Sequence, residues 1–401
     1  MRVSIFSGRR HHYDRLSSIA RQLHGTGHAV QYVVADNSWN VDPAVEYLIP
    51  DGAPYVHLLD YLKDFSKVNA ETKQILDSLY NIPRELFRYI SPNLIAYSVR
   101  ELVESVNGFK QYIADAVPDV VLILHENNFW TKPFAYICRD LDIPCVGFQE
   151  GLLRHRDQQT YNKQASAAEY INRLLVWSDQ DNLTYQRAGI NAEKIKTIGI
   201  PHLDDWLDMK KNKEKWDQFR SSAKVSLGYS PARPLVVFAL PILERYEGDA
   251  IKAMKSIVEW SSFSGVPVCL SLHPFEAKAT QINLENMFKN QALVHLGKPT
   301  LVVLAAADAV ICQHSTVAIE ALALDVPLLE IDLDNYGVLQ SLADIKVATS
   351  LGVGEENKIE EVLSGKTADK GEIEKWQQEH LGPLDGRATE RAIQAILDLL
   401  N

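Results

Sequence analysis

The stretch Leu304-Ala-Ala-Ala-Asp-Ala-Val-Ile-Cys-Gln-His-Ser-Thr-Val-Ala-Ile-Glu-Ala-Leu-Ala-Leu-Asp-Val-Pro-Leu328 changes its apolar spacing twice. Asp308 to Cys312 is a short apolar run of the buried-strand type. Ser315 to Leu324 has helix-period apolar spacing behind a Ser-Thr start, and Pro327 to Ile331 reads as a strand again. Strand, helix and strand with tight connections imply two parallel strands joined by a crossover helix.

Outward from that unit the alternation continues in both directions. Upstream lie a charged helix (about Asp204 to Lys224), the strand Pro234 to Leu240 and a helix from Asp249 to Ser262. The strand Pro267 to Leu272 then ends in His273-Pro274, and Leu293 to His295 is a further strand. Downstream, an amphipathic helix of about 388–400 closes the chain. The first half repeats the logic. Val3 to Phe6 is a strand, and the polar loop Ser7 to Asp14 follows it. A helix runs through Leu23 to a stop at Gly25 and Gly27, and His28 to Val34 is a second strand. Residues from about Tyr55 to Ala116 carry helical spacing interrupted by prolines and read as a helical insertion. Strands at Asp119 to Leu124, Pro144 to Phe148, Arg173 to Trp177 and Lys196 to Ile198 complete this half, with helices at Pro133 to Leu141 and around Tyr185.

A chain of 401 residues exceeds what one core usually serves. The expected fold class is therefore α/β, with two parallel-sheet domains facing across a cleft. The boundary falls at Gly199-Ile-Pro-His202, giving domains 1–200 and 201–401, with the last helix packing back on the first domain. Lys and Arg number 41 and Asp and Glu 52, a net charge of −11, which argues against broad binding of nucleic acid but not against a small anionic ligand. The four cysteines (Cys138, Cys145, Cys269, Cys312) are scattered without a Cys-x-x-Cys spacing, so no disulfide and no zinc site is expected. No apolar run reaches about 18 residues and the start resembles no signal peptide, which leads to the expectation of a cytoplasmic protein. Lys210-Lys-Asn-Lys-Glu-Lys215-Trp216 reads either as a solvated helix face or as a patch for an anionic membrane.

In open parallel sheets ligands bind beyond the carboxyl ends of the strands, where helix N-termini present unpaired N–H groups. Four loops sit there. Cys312-Gln313-His314-Ser315-Thr316 opens a helix and offers a phosphate cradle, with Glu320 one turn on as an acceptor for ribose hydroxyls; the alternative is an ordinary Ser/Thr cap. His273 at a strand end can donate to a phosphate oxygen, or simply bond to backbone. Glu150 in Gln149-Glu-Gly-Leu-Leu-Arg154-His-Arg156 can take a proton, with the arginines available to an anionic substrate; the alternative is a charged, solvated turn. His125-Glu126-Asn127-Asn128 is read the same way, with Glu126, Asn128 and Arg156 assigned to an acceptor.

The run 304–328 resembles the donor-binding segment of GT-B glycosyltransferases, which pair two Rossmann-like domains and usually need no metal. That resemblance assigns Gln313, His314, Ser315, Thr316 and Glu320 to a nucleotide-sugar donor. A narrower likeness is to bacterial transferases of CMP-activated acidic sugars, the sialyltransferases and the Kdo transferases of capsule and O-antigen. They share an acid-acid-Gly triplet, His-Pro and Ser-Ser/Thr. Here these occur in order as Gln149-Glu150-Gly151, His273-Pro274 and Ser315-Thr316, with Gln149 in place of the first acid.

The resemblance implies transfer of Kdo, in preference to sialic acid, from CMP to a surface glycan. Glu150 and His273 are the catalytic pair, Arg154 holds the sugar carboxylate, and Glu244 is the candidate nucleophile of a retaining course. The rivals are a UDP-sugar transferase or epimerase, a CDP-glycerol transferase, and a non-catalytic glycan-binding subunit. The partners implied for the transferase are the CMP-sugar and a glycan or lipid-linked glycan acceptor, with peripheral association at the inner membrane and membership of a larger polysaccharide synthase as open alternatives.

Overall fold

The computed structural model describes residues 1–7, 12–34, 55–79, 92–124, 131–151, 167–241, 243–273, 278–289, 291–295, 300–313, 315–331, 333 and 341–400. The first half contains β1 (Arg2–Ser7), α1 (His12–Gly25), β2 (Ala29–Val34), β3 (Tyr55–His57), α2 (Phe65–Leu79), α3 (Pro92–Ala116), β4 (Val120–Leu124), α4 (Thr131–Asp140), β5 (Cys145–Phe148), β6 (Arg173–Val176), α5 (Asp179–Arg187) and β7 (Ile195–Thr197). The second contains α6 (Asp204–Lys211), α7 (Lys213–Ser226), β8 (Val236–Ala239), α8 (Leu243–Ser264), β9 (Val268–Ser271), α9 (Lys278–Met287), β10 (Leu293–His295), α10 (Thr300–Ala306), β11 (Ala309–Cys312), α11 (Thr316–Ala323), β12 (Leu328–Ile331), β13 (Thr349–Leu351), α12 (Asn357–Leu363), α13 (Lys370–His380) and α14 (Ala388–Leu400).

Two all-parallel sheets result, ordered β3-β2-β1-β4-β5-β6-β7 and β10-β9-β8-β11-β12-β13. Parallel strands covered by helices on both faces need apolar side chains in both directions. The sequence supplies them: every residue of β4, β8, β11 and β12 is buried. Each Val, Leu, Ile or Phe among them contributes roughly 1.5–3 kcal/mol relative to exposure, while Glu330 of β12 is buried as a hydrogen-bond acceptor for Ala343 N at 2.9 Å. The strand order reverses between β1 and β4 in one sheet and between β8 and β11 in the other, with Val3 opposite Val120 and Val237 opposite Val310. Those reversals open the crevices where ligands bind in such sheets.

Four local readings change. Tyr55–His57, expected inside the helical insertion, is an edge strand paired with Tyr32–Val34, and the insertion itself is α2 and α3. The charged helix is two helices, because Asn212 is extended and its side chain accepts from Lys215 N at 3.1 Å, capping α7. Helix α8 begins at Leu243, before the expected Asp249. Strand β13 lies at a sheet edge with a single buried residue, a pattern without a hydrophobic run.

Each sheet is packed on both faces. Helix α14 places Ala392, Ile393, Ala395 and Ile396 with Val3, Ile5, Leu16 and Val120 on one face of the first sheet. Its N-terminus is capped by the buried Asp204, whose carboxylate accepts from Ala388 N at 3.1 Å and Thr389 N at 2.6 Å. Gly382 has φ +69°, and a Cβ there would meet the Trp177 carbonyl oxygen at 2.1 Å, so only glycine lets the returning chain lie against the end of β6. Three of the four lysines of 210–216 have acidic neighbours: Lys210 pairs with Asp325, Lys211 with Asp208 and Lys213 with Asp217. Among the described residues no helix is long and apolar enough to cross a membrane.

Candidate active site

The site grows from the strand ends of both sheets. After β5 the chain turns sharply at Gln149-Glu150-Gly151. Gln149 is 4% exposed and every polar atom of its side chain is used. Its Oε1 accepts from Trp177 N at 2.9 Å, and its Nε2 donates to Asp181 Oδ2 at 3.0 Å and to the Gly151 carbonyl at 2.8 Å. Asp181 is fixed in turn by Ser178, the N-cap of α5, whose hydroxyl donates to it at 3.0 Å and accepts from its N–H at 3.1 Å. Glu150 is half-buried between those two anchored residues. A Cβ on Gly151 would lie 3.9 Å from Thr316 Cγ2, so this loop and the start of α11 are in van der Waals range across the cleft.

On the facing side Ser315 is the N-cap of α11, and its hydroxyl accepts from Val317 N at 3.3 Å. The Ala318 N–H donates to the Ser315 carbonyl at 3.0 Å, so the first turn is closed by Ser315, and the positive end of the helix dipole there favours negative charge. His273 follows β9 and is half-buried. Strand β8 alone separates β9 from β11, so their ends are about 10 Å apart. Gln313, immediately after β11, is 4% exposed, and neither its Nε2 nor its Oε1 has a partner. A buried, unpaired amide at a sheet's crossover point is a group with hydrogen-bonding capacity still to fill.

Glu320 lies one turn into α11 and is 3% exposed. Its Oε1 receives Arg15 Nη1 from α1, and His202 Nε2 approaches it at 3.3 Å. Arg15 Nη1 also donates to His202 Nε2, which requires the imidazole proton on Nδ1. Burial alone would raise the Glu320 carboxyl, but the Arg15 guanidinium, as a charge and as a hydrogen-bond donor, outweighs it and holds the group at about 2. Burial, with the Arg15 charge adding to it, pushes His202 down to about 4, so the ring is neutral. This cluster joins the two sheets. A cavity of about 10 Å³, room for one water, separates it from Gln149 and Trp177.

Glu150, Ser315 and Thr316 are thus brought together, with His273 on the same rim. Glu320 is placed deeper, at the contact between the sheets. Glu126, Asn128, Arg154, Arg156, His314 and Pro274 lie outside the described residues, and for Glu244 the backbone is in the first turn of α8 while its side chain is outside them. The sequence reading missed Arg15 altogether and took His202 only as part of the crossover; their link to Glu320 spans 305 and 118 residues and leaves no periodic trace. Among the described residues no cluster of three or more His, Cys, Asp or Glu side chains could hold a metal ion.

No protein-family model matches the chain, and no curated protein matches its sequence. Solved structures do match over its full length. The UDP-GlcNAc 2-epimerase of Neisseria meningitidis bound to UDP-GlcNAc is similar with a TM-score of 0.64 at 12% identity, covering 99% of this chain and 100% of that one. The Methanocaldococcus jannaschii UDP-GlcNAc 2-epimerase, in complex with UDP-GlcNAc and UDP, gives 0.62 at 17% over 99% and 100%. The calicheamicin glycosyltransferase CalG4 gives 0.56 at 15% over 100% and 98%. At these identities the likeness concerns architecture, and it agrees with the two sheet topologies: the chain has the GT-B fold.

Proposed function

We propose that this chain is a nucleotide-sugar enzyme whose donor lies against the second sheet and whose acceptor approaches past Glu150. The observation that carries the reading is the meeting of Gly151 with Thr316, which brings the loop that holds Glu150 to the start of α11, just beyond the strand-order reversal of the second sheet. The N–H groups of α11 and His273 receive the phosphate that departs as the anomeric C–O bond breaks, and Glu150 takes the proton of the incoming hydroxyl. Gln313 offers its donor and acceptor to the nucleotide. Glu320, kept ionised by Arg15, accepts ribose hydroxyls on its remaining lone pairs, since a carboxylate has about four acceptor positions.

Two donor classes fit. A UDP-sugar is supported by the epimerases and transferases that share the architecture over nearly the whole chain. A CMP-linked acidic sugar of the Kdo type is supported by the ordered trio around Glu150, His273 and Ser315-Thr316. The first has the broader support, and the second is favoured only by those loops. Thermal unfolding with UDP and CMP separates them, because a ligand held only by the folded state raises the melting temperature, by about 2.7 kcal/mol of stabilisation at a hundredfold excess over Kd. Turnover of the matching nucleotide sugar should fall in Glu150→Gln and His273→Ala. If neither nucleotide shifts the melt, the enzyme reading is abandoned in favour of a glycan-binding subunit.

A further inference from the structure

Gln149 is bonded in a way that only an amide can satisfy. Its two Nε2 protons go to two acceptors, Asp181 Oδ2 and the Gly151 carbonyl, while Oε1 accepts from Trp177 N. A carboxylate at the same place could keep the Trp177 bond but would set lone pairs against lone pairs at the other two. The main chain of Gln149 is fastened as well, donating to the Leu175 carbonyl at 3.0 Å. Glu150 therefore stands between a residue tied to β6 and a residue whose carbonyl is tied to the Gln149 side chain. The far end of this chain is Asp181, held by the α5 cap. We infer that Gln149 is a positioning residue: through the Gly151 carbonyl it fixes Gly151, and with it the turn that carries Glu150, against the start of α11, and its amide identity is matched to the carboxylate of Asp181.

The inference rests on the acceptor-side role of Glu150 proposed above, and its test separates the two. In Gln149→Glu the new carboxylate faces Asp181. In the double variant Gln149→Glu/Asp181→Asn the asparagine Nδ2 donates to it, restoring that contact, but the Gly151 carbonyl still has no donor. The single variant should melt several degrees lower, and the double variant should recover to within about 2 degrees of the wild type. Turnover should stay at least tenfold down in both with donor KM unchanged, since small displacements of a reacting group cost about that much or more. Hydrogen exchange of the peptide spanning 145–151 should be faster than wild type in both.

Recovery of turnover and protection in the double variant would reduce Gln149 to a packing partner of Asp181 and overturn the positioning role. Failure of the double variant to regain melting temperature would overturn the amide–carboxylate match. If the wild type turns over neither nucleotide sugar, the functional proposal falls on its own. The exchange and melting results then still decide whether Gln149 fixes this loop.

Discussion

Two glutamines end central strands, Gln149 after β5 and Gln313 after β11, and each is 4% exposed. The first has three side-chain hydrogen bonds, to Trp177, Asp181 and Gly151. The second has none. An unpaired buried amide costs roughly 1–3 kcal/mol, so a fold that keeps one gains something from it elsewhere. The saturated amide shapes a loop, and the vacant one, next to the strand-order reversal of the second sheet, keeps its donor and acceptor uncommitted. The same side chain thus does opposite work on the two sides of the cleft.

Substitutions can break or sharpen that contrast. The largest effect belongs to the ion pair beside Gln149. Arg15→Met leaves the Glu320 carboxylate buried without its cation and should cost about 4 kcal/mol in urea unfolding, most of it returned when Glu320→Gln is added.

The next effect is one of pH. The folded pKa of His202, about 4, lies below the usual 6.5, so folding favours the neutral ring. Its contribution is complete above pH 6.5 and disappears as pH falls from there toward 4, about 3 kcal/mol in all. Glu320, also depressed, loses its contribution only between about 4.5 and 2. His202→Gln should flatten the stability slope between pH 6.5 and 4, and an unchanged slope would mean the ring is not held neutral.

Gln149→Leu should then cost about 3 kcal/mol, because it orphans the Trp177 N–H and the Gly151 carbonyl and deprives Asp181 of a donor. The smallest effect is Gln313→Leu, which should leave stability unchanged or raise it by up to about 1 kcal/mol while reducing the melting shift given by UDP or CMP. Equal losses from the two leucine substitutions would erase the contrast.

Much of the architecture could be read from the chain because buried parallel strands are continuous apolar runs; Val120–Leu124 and Ala309–Cys312 announce themselves. Tyr55–His57 and Thr349–Leu351 do not, being three-residue edge strands whose pairing partner, not their composition, makes them strands. The loops after β5, β9 and β11 were legible for a topological reason: strand ends are where polar residues become available to ligands. What holds those loops was not legible. Gln149 read as a missing acid, whereas its meaning lies in Asp181, a residue that sequence spacing gave no reason to connect with it.

The main chain passes between the sheets twice, once through Gly199–Asp204 on the way out and again before Ala388 on the return. The two passages touch: a Cβ on Gly199 would meet the Pro383 carbonyl oxygen at 3.0 Å and Ala388 Cβ at 3.2 Å. A pair of adjacent covalent tethers behaves as a pinned joint. It permits rotation about the line through both crossings and resists sliding or twisting. Any relative movement of the rims that carry Glu150 and Thr316 is therefore steered along one arc.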